Sequence, residues 1–167
     1  MKTLYLIGGT MGVGKTTVCN ELKKQLPDCV FLDGDWCWDL HPFRVTDATK
    51  AMVMANIHAM LGNFLKCPEI ENVLFCWVMH QQSILDDVLS GLNLENVRVV
   101  NVSLVCSAES LRTRLEGDIA KGVRTMDILD RSIPRLALYE GLQTVKIDTT
   151  NLTPVQIARL IRQEGNQ

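Results

Sequence analysis

The sequence predicts an α/β fold, a five-stranded parallel sheet with helices on both faces. Three observations carry that expectation. Short apolar runs alternate along the whole chain with segments of helical periodicity, the pattern of repeated β-α units. The run Asn72–Val78 is apolar nearly throughout rather than at alternate positions, as expected of a strand covered by helices on both faces. A glycine-rich loop joins the first apolar run to the first helical segment.

The first strand, Leu4 to Ile7, feeds that loop, in which Gly9, four residues and then Gly14-Lys15-Thr16 satisfy the G-x-x-x-x-G-K-[ST] pattern. Glycines admit positive φ, so backbone N–H groups can converge on an anion. A helix starting near Lys15 points its positive dipole end at the same place. Lys15 adds a full charge for β and γ phosphates, and the Thr16 hydroxyl suits Mg²⁺. The nucleotide-binding set is therefore Gly9, Thr10, Met11, Gly12, Val13, Gly14, Lys15, Thr16 and Thr17, the last as an ordinary first-turn residue. Val18, Leu22 and Leu26 mark the buried stripe of the helix, which Pro27 stops.

Cys29 to Leu32 form the second strand, ending in Asp33-Gly34-Asp35. In a parallel sheet these carboxylates stand at the ligand-binding end of the strands. Asp33 is the candidate for the metal's outer shell, and Asp35 for orienting or deprotonating an acceptor hydroxyl. A plain Asp-Gly turn is the competing reading. Trp36, Trp38, His41 and Arg44 follow, suited to an acceptor pocket built on stacking, hydrogen bonding and a charge clamp, or equally to an apolar plug.

Thr46 or Asp47 caps a helix running to about Lys66, with Val53, Ile57, Leu61 and Leu65 on its apolar face and Pro68 beyond its end. The third strand, Asn72 to Val78, carries Trp77, placed on the acceptor side, and leads to His80, which is placed there too or, equally, caps the next helix. No acid follows it, which is why the metal role falls to Asp33. Ile84, Leu85, Val88 and Leu89 define a short helix ended by Gly91, and Val97 to Val105 is the fourth strand. Ser107 caps a helix with Leu111, Leu115 and Ile119 inside, and Arg112–Glu116 and Arg114–Asp118 are spaced for surface ion pairs.

Residues 121–125 then break the pattern, and a helix from about Met126 carries Arg131 and Arg135 on one face, bent by Pro134. A glycine-hinged lid over about 119–135 would let Arg124 and Arg131 neutralise charge on transferring phosphates; a solvated basic face is the alternative. Thr144 to Asp148 is the fifth strand, and Thr153 caps a last helix opened by Pro154.

At 167 residues, 47% hydrophobic and 22% charged, the chain suits one folded domain. A net charge of −2 gives no reason to expect nucleic acid. Six cysteines without C-x-x-C or zinc spacing read as reduced core thiols. With no run near the ~18 apolar residues of a membrane span and no signal-peptide core, a cytoplasmic protein is expected.

With the loop, the Asp33-Gly34-Asp35 element, the arginine segment and the Thr150-Asn151-Leu152-Thr153-Pro154 entry to the last helix, the chain resembles the nucleoside-monophosphate-kinase-like branch of P-loop kinases. Within it the likeness is to shikimate, gluconate and adenylylsulfate kinases and to bacterial nucleotide kinases. The resemblance implies a three-layer P-loop NTPase fold with sheet order 2-3-1-4-5. It also implies ATP and Mg²⁺, Asp33 near the metal, Asp35 at the acceptor hydroxyl, Arg114 against the adenine, residues 149–154, Asn151 among them, bordering the base, and Arg124 and Arg131 in the lid. The Asp-Gly-Phe-Pro-Arg element of adenylate kinases and the glycine-rich acceptor loop of shikimate kinases are absent, and Asp118 stands where many relatives have a second arginine. An ATP-dependent phosphotransferase acting on a nucleotide or small hydroxyl-bearing metabolite is expected, with a nucleotide-responsive switch as the alternative and the oligomeric state left open.

Overall fold

The computed structural model describes residues 1–166. Strand β1 (Lys2–Gly9) lies at the centre, between β3 (Asn72–Trp77) and β4 (Val97–Val105), with β2 (Cys29–Asp33) and β5 (Val145–Asp148) at the edges. All pairings are parallel, and the order is β2-β3-β1-β4-β5, as the resemblance implied.

Period-two geometry explains how one apolar run serves two layers. Leu4 and Leu6 pack beneath α2 (Asp47–Lys66), α3 (Gln82–Ser90) and the 3-10 helix Pro134–Tyr139, through Val53, Ile57, Leu61, Leu85, Val88 and Tyr139. Tyr5 and Ile7 face the other way, against α1 (Lys15–Gln25) and α6 (Pro154–Gly165), through Val18, Leu22, Ile157 and Ile161. Each fully buried aliphatic side chain contributes about 1.5–3 kcal/mol, so β1 anchors both cores. A third, smaller cluster joins α4 (Ala108–Ala120) to α5 (Ile128–Ser132) through Leu111, Leu115 and Ile128, with Met11 of the glycine-rich loop packed on it.

The helix starts follow side-chain chemistry. The Thr46 side chain accepts from the Thr49 N–H in a reciprocal capping box, Thr153 and Gln156 form another, and Ser107 accepts from the Ser110 N–H. The segment around Pro134 differs from the single bent helix expected. Lacking an N–H, Pro134 opens a new 3-10 helix after α5 rather than sitting inside a continuous one.

Among the described residues no helix is long and apolar enough to cross a membrane. The six cysteines are free, and Cys19, Cys37 and Cys76 are buried. Chain reversal beside β1, between β3 and β4, opens a crevice at the C-terminal ends of the strands. The glycine-rich loop, Asp33, Val78 and Thr149 all emerge there.

Candidate functional site

The loop after β1 is shaped by two left-handed residues, Gly12 at φ 85° and Gly14 at φ 105°, the latter capping α1. Gly12 also lies against α4, where a Cβ would stand 2.4 Å from Leu115 Cδ2. The Lys15 ammonium donates to the Gly9 and Thr10 carbonyls at 2.9 and 3.1 Å. Burial lowers its pKa, opposed by the nearby Cys76, Asp35 and Asp33. The buried Thr10 hydroxyl donates at 2.9 Å to the carbonyl of Ser132 in α5.

Two carboxylates follow β2 with different surroundings. Asp33 is buried, accepts at Oδ2 from the Thr16 hydroxyl at 2.8 Å, and at Oδ1 from the Asp35 N–H at 3.1 Å. That second bond caps the 3-10 helix Gly34–Trp38. Asp35 reaches solvent, yet desolvation of its carboxyl raises its pKa; the Asp33 charge adds to the rise, while Lys15 opposes it. Thr16 and Asp33 together present hard oxygen donors. Among the described residues no three His, Cys, Asp or Glu side chains gather into a metal cage. That donor set fits Mg²⁺, which takes one or two protein oxygens and completes its shell with phosphates and water.

A cavity of about 360 Å³ extends over the loop, lined by Lys15, Thr16, Asp33, Asp35, Arg114 and Arg124 among others. Arg114 is fixed by three bonds, to the Val13 carbonyl (3.1 Å) and to the Thr149 hydroxyl and carbonyl (3.0 and 2.7 Å). The surface pairing expected for it does not form. Its i+4 acid, Asp118, instead accepts from Arg124 Nε at 3.1 Å, and Arg112 makes no ion pair among the described residues. Asn151 is exposed and does not line this cavity; the neighbouring contact to Arg114 comes from Thr149.

A second cavity, about 640 Å³, opens on the other side of Asp35 and is lined by Trp38, Trp77, His80, Arg131 and Arg135. The Trp38 and Trp77 rings lie 6.4 Å apart, and Phe43 stands 5.5 Å from Trp38. Trp77 fits against Gly34, where a Cβ would meet its Cγ at 2.6 Å. Burial lowers the pKa of His80, the Val78 carbonyl opposes that, and Arg135 adds to it, a balance that favours the neutral imidazole. Arg131 pairs with Asp127 at 3.1 Å.

Trp36, His41 and Arg44 do not line this cavity. Trp36 packs edge-on against Phe31 at 5.4 Å, His41 and Arg44 are exposed, and the Arg44 carbonyl accepts from Trp38 Nε1. The reason is the 3-10 turn. At three residues per turn Asp35 and Trp38 share one face, while Trp36 points elsewhere. Sequence reasoning left Lys50 and Asp87 out of the site, because their approach depends on how α2 and α3 pack, and Phe43, inside the aromatic segment but not singled out there, reaches the cavity beside Trp38.

Asp35 and Val78 line both cavities, so the two meet at the carboxylate. The sequence matches the family model described as AAA domain over residues 6–131. A comparison with curated proteins gives no significant match. Among solved structures, a tunicamycin resistance protein from Deinococcus radiodurans is 21% identical with a TM-score of 0.74, covering 99% of this chain and 96% of that one. A gluconokinase from Sinorhizobium meliloti is 19% identical at 0.68, covering 98% and 94%. The Mycobacterium tuberculosis APS kinase, in complex with AMPPNP and APS, is 12% identical at 0.62, covering 99% and 98%. These identities show a shared fold. The family match runs from Leu6 in β1 to Arg131 in α5 and so spans the glycine-rich loop, both carboxylates and the arginine segment. The chain therefore belongs to the AAA domain family of P-loop proteins, on the fold it shares with gluconate and APS kinases.

Proposed function

We propose that the protein is an ATP- and Mg²⁺-dependent phosphotransferase that moves the γ-phosphoryl of ATP to a hydroxyl of a small acceptor. The observation that carries this reading is the position of Asp35, a carboxylate lining both the cavity over the phosphate loop and the cavity walled by aromatic rings. A donor on one side and an acceptor on the other would meet at that residue. The APS kinase on this fold is in complex with AMPPNP and APS, which supports a nucleotide and a small acceptor bound together.

In this reading the loop N–H groups and Lys15 hold the β and γ phosphates, with Arg114 toward the base. Thr16 and Asp33 would hold Mg²⁺, which supplies charge neutralisation at the phosphates when bound. The acceptor hydroxyl attacks the γ-phosphorus, its new O–P bond replaces the β,γ-bridging one, ADP leaves, and the hydroxyl proton passes to the Asp35 carboxylate. Arg124, which lines the phosphate-loop cavity and is steered by Asp118, would face the charge spread over the phosphoryl oxygens, and Arg131, which lines the acceptor cavity, would approach them from that side. Positioning and electrostatics carry the rate in such transfers.

The test is ADP formation by the purified protein with Mg·ATP across nucleoside monophosphates, sugar acids, shikimate-like hydroxy acids and hydroxybenzoates. Stimulation by an acceptor is the expected result. Tight ATP binding with no stimulation by any of them contradicts the proposal and favours a nucleotide-responsive switch.

A further inference from the structure

The larger cavity carries more information about the acceptor than its size. It combines an aromatic wall, whose neighbouring rings are inclined to one another by 42–53°, with a cationic end. Trp38, Trp77 and Phe43 form a linked set of rings, with neighbouring centroids 5.5–6.4 Å apart, and Trp77 is held flush by Gly34 behind it. Such a wall offers ring faces to a planar ligand, a contact worth more than area burial alone. Open-chain sugar acids and alicyclic acids can present C–H groups to these rings but no aromatic face.

The cations are not equivalent. Lys50, Arg131 and Arg135 all line the cavity, but Lys50 approaches Asp47 and Arg131 is engaged by Asp127. Arg135 has no acidic partner among the described residues. It is half-buried and shares the cavity wall with His80, whose imidazole adds hydrogen-bonding groups beside it. Two carboxylates also face the cavity, Asp35 and Asp87. Asp35 repels an anionic group at the transfer point and suits a hydroxyl there, which directs an anionic group of the acceptor away from it, toward Arg135.

We infer that the acceptor is a hydroxyl-bearing molecule with one planar aromatic ring system and an anionic group, the ring against Trp38 and Trp77 and the anion on Arg135. Both nucleoside monophosphates and hydroxyaryl carboxylates have this chemistry. The inference rests on the phosphotransferase reading only for the hydroxyl; ring and anion recognition are properties of the cavity itself.

Intrinsic fluorescence tests it without catalysis. The chain has three tryptophans, so in a Trp36→Phe background the emission comes from Trp38 and Trp77. With the phosphate-loop site filled by a non-hydrolysable ATP analogue, the protein is titrated with nucleoside monophosphates, the matching nucleosides, hydroxybenzoates, gluconate and shikimate. Saturable quenching by a compound holding both ring and anion is expected. Its nucleoside or ring-free counterpart should bind at least about tenfold more weakly, the scale of one charge-assisted hydrogen bond. Arg135→Gln should erase that preference for the anion. Whether the nucleotide or the hydroxybenzoate binds identifies the source of the ring. Gluconate or shikimate binding as tightly as the ringed acids, nucleosides matching their monophosphates, or no quenching by any compound overturns the inference. If quenching follows the expected order while ADP formation is absent, the cavity assignment stands and the phosphotransferase reading fails.

Discussion

The Thr10 hydroxyl donates at 2.9 Å to the Ser132 carbonyl, 122 residues along the chain, and joins the phosphate loop to the helix that carries Arg131. The bond ties α5 to the phosphate loop, and between α4 and α5 the chain turns at Gly122, which takes φ 71°.

Thr10→Val keeps the side-chain shape and leaves the buried Ser132 carbonyl without its donor. The expected cost is about 1–3 kcal/mol, a fall in Tm of about 2–4 °C for each kcal/mol. Turnover should fall while ATP affinity holds. Thermal melts beside nucleotide titration check both halves, and an unchanged Tm removes the bond from the account.

Asp35→Asn removes the proposed proton acceptor but preserves the capping bond, which is made by the Asp35 N–H to Asp33. A loss of roughly 10²–10⁴ in kcat is expected, with little change in ATP binding. The pH profile gives a second check. Desolvation and the Asp33 charge raise the pKa of Asp35, and the base must be ionised to act. Activity should therefore fall with decreasing pH through a limb placed above the range of an ordinary aspartate, and Asp35→Asn should abolish that limb.

Gly34→Ala tests the seat of Trp77. Its Cβ would stand 2.6 Å from the Trp77 Cγ, so the ring must shift into the cavity. Overpacking of this kind costs about 1–3 kcal/mol. The acceptor KM should rise while the Kd for ATP stays at the wild-type value; a parallel rise in both would mean that the two cavities are not separable at Asp35.

Thr153→Ala serves as a control remote from the chemistry. It deletes the capping box with Gln156 at the start of α6 and should cost about 1 kcal/mol of stability without changing kcat. Calorimetry and steady-state rates on the same preparation test that separation.

The parts legible in the sequence are those set by short-range rules. The loop pattern placed Lys15 and Thr16, the run Val97–Val105 matched β4 from end to end, Ser107 and Thr153 were readable as caps from residue type, and of the two candidates Thr46 and Asp47 the capping box selects Thr46. The first strand was longer than its most apolar stretch, Lys2–Gly9 rather than Leu4 to Ile7, because backbone pairing to β3 and β4 extends past the core residues. What was not legible depends on how elements meet. Asp118 spaced four from Arg114 looks like a surface pair, but Arg114 turns inward to Val13 and Thr149 once α4 packs on the loop. Trp36 and Trp38 are indistinguishable as neighbours in sequence, and only the 3-10 turn separates the exposed ring from the one in the cavity.

Transfer of label from γ-labelled ATP into the small-molecule fraction of a cell extract tests the central claim most directly, comparing wild type with a Lys15→Ala variant of unchanged circular dichroism and Tm. The account predicts label in an organic product with the wild-type protein and roughly 10²-fold less, or lower still, with Lys15→Ala. Label appearing only as inorganic phosphate, or equally with both proteins, would contradict it.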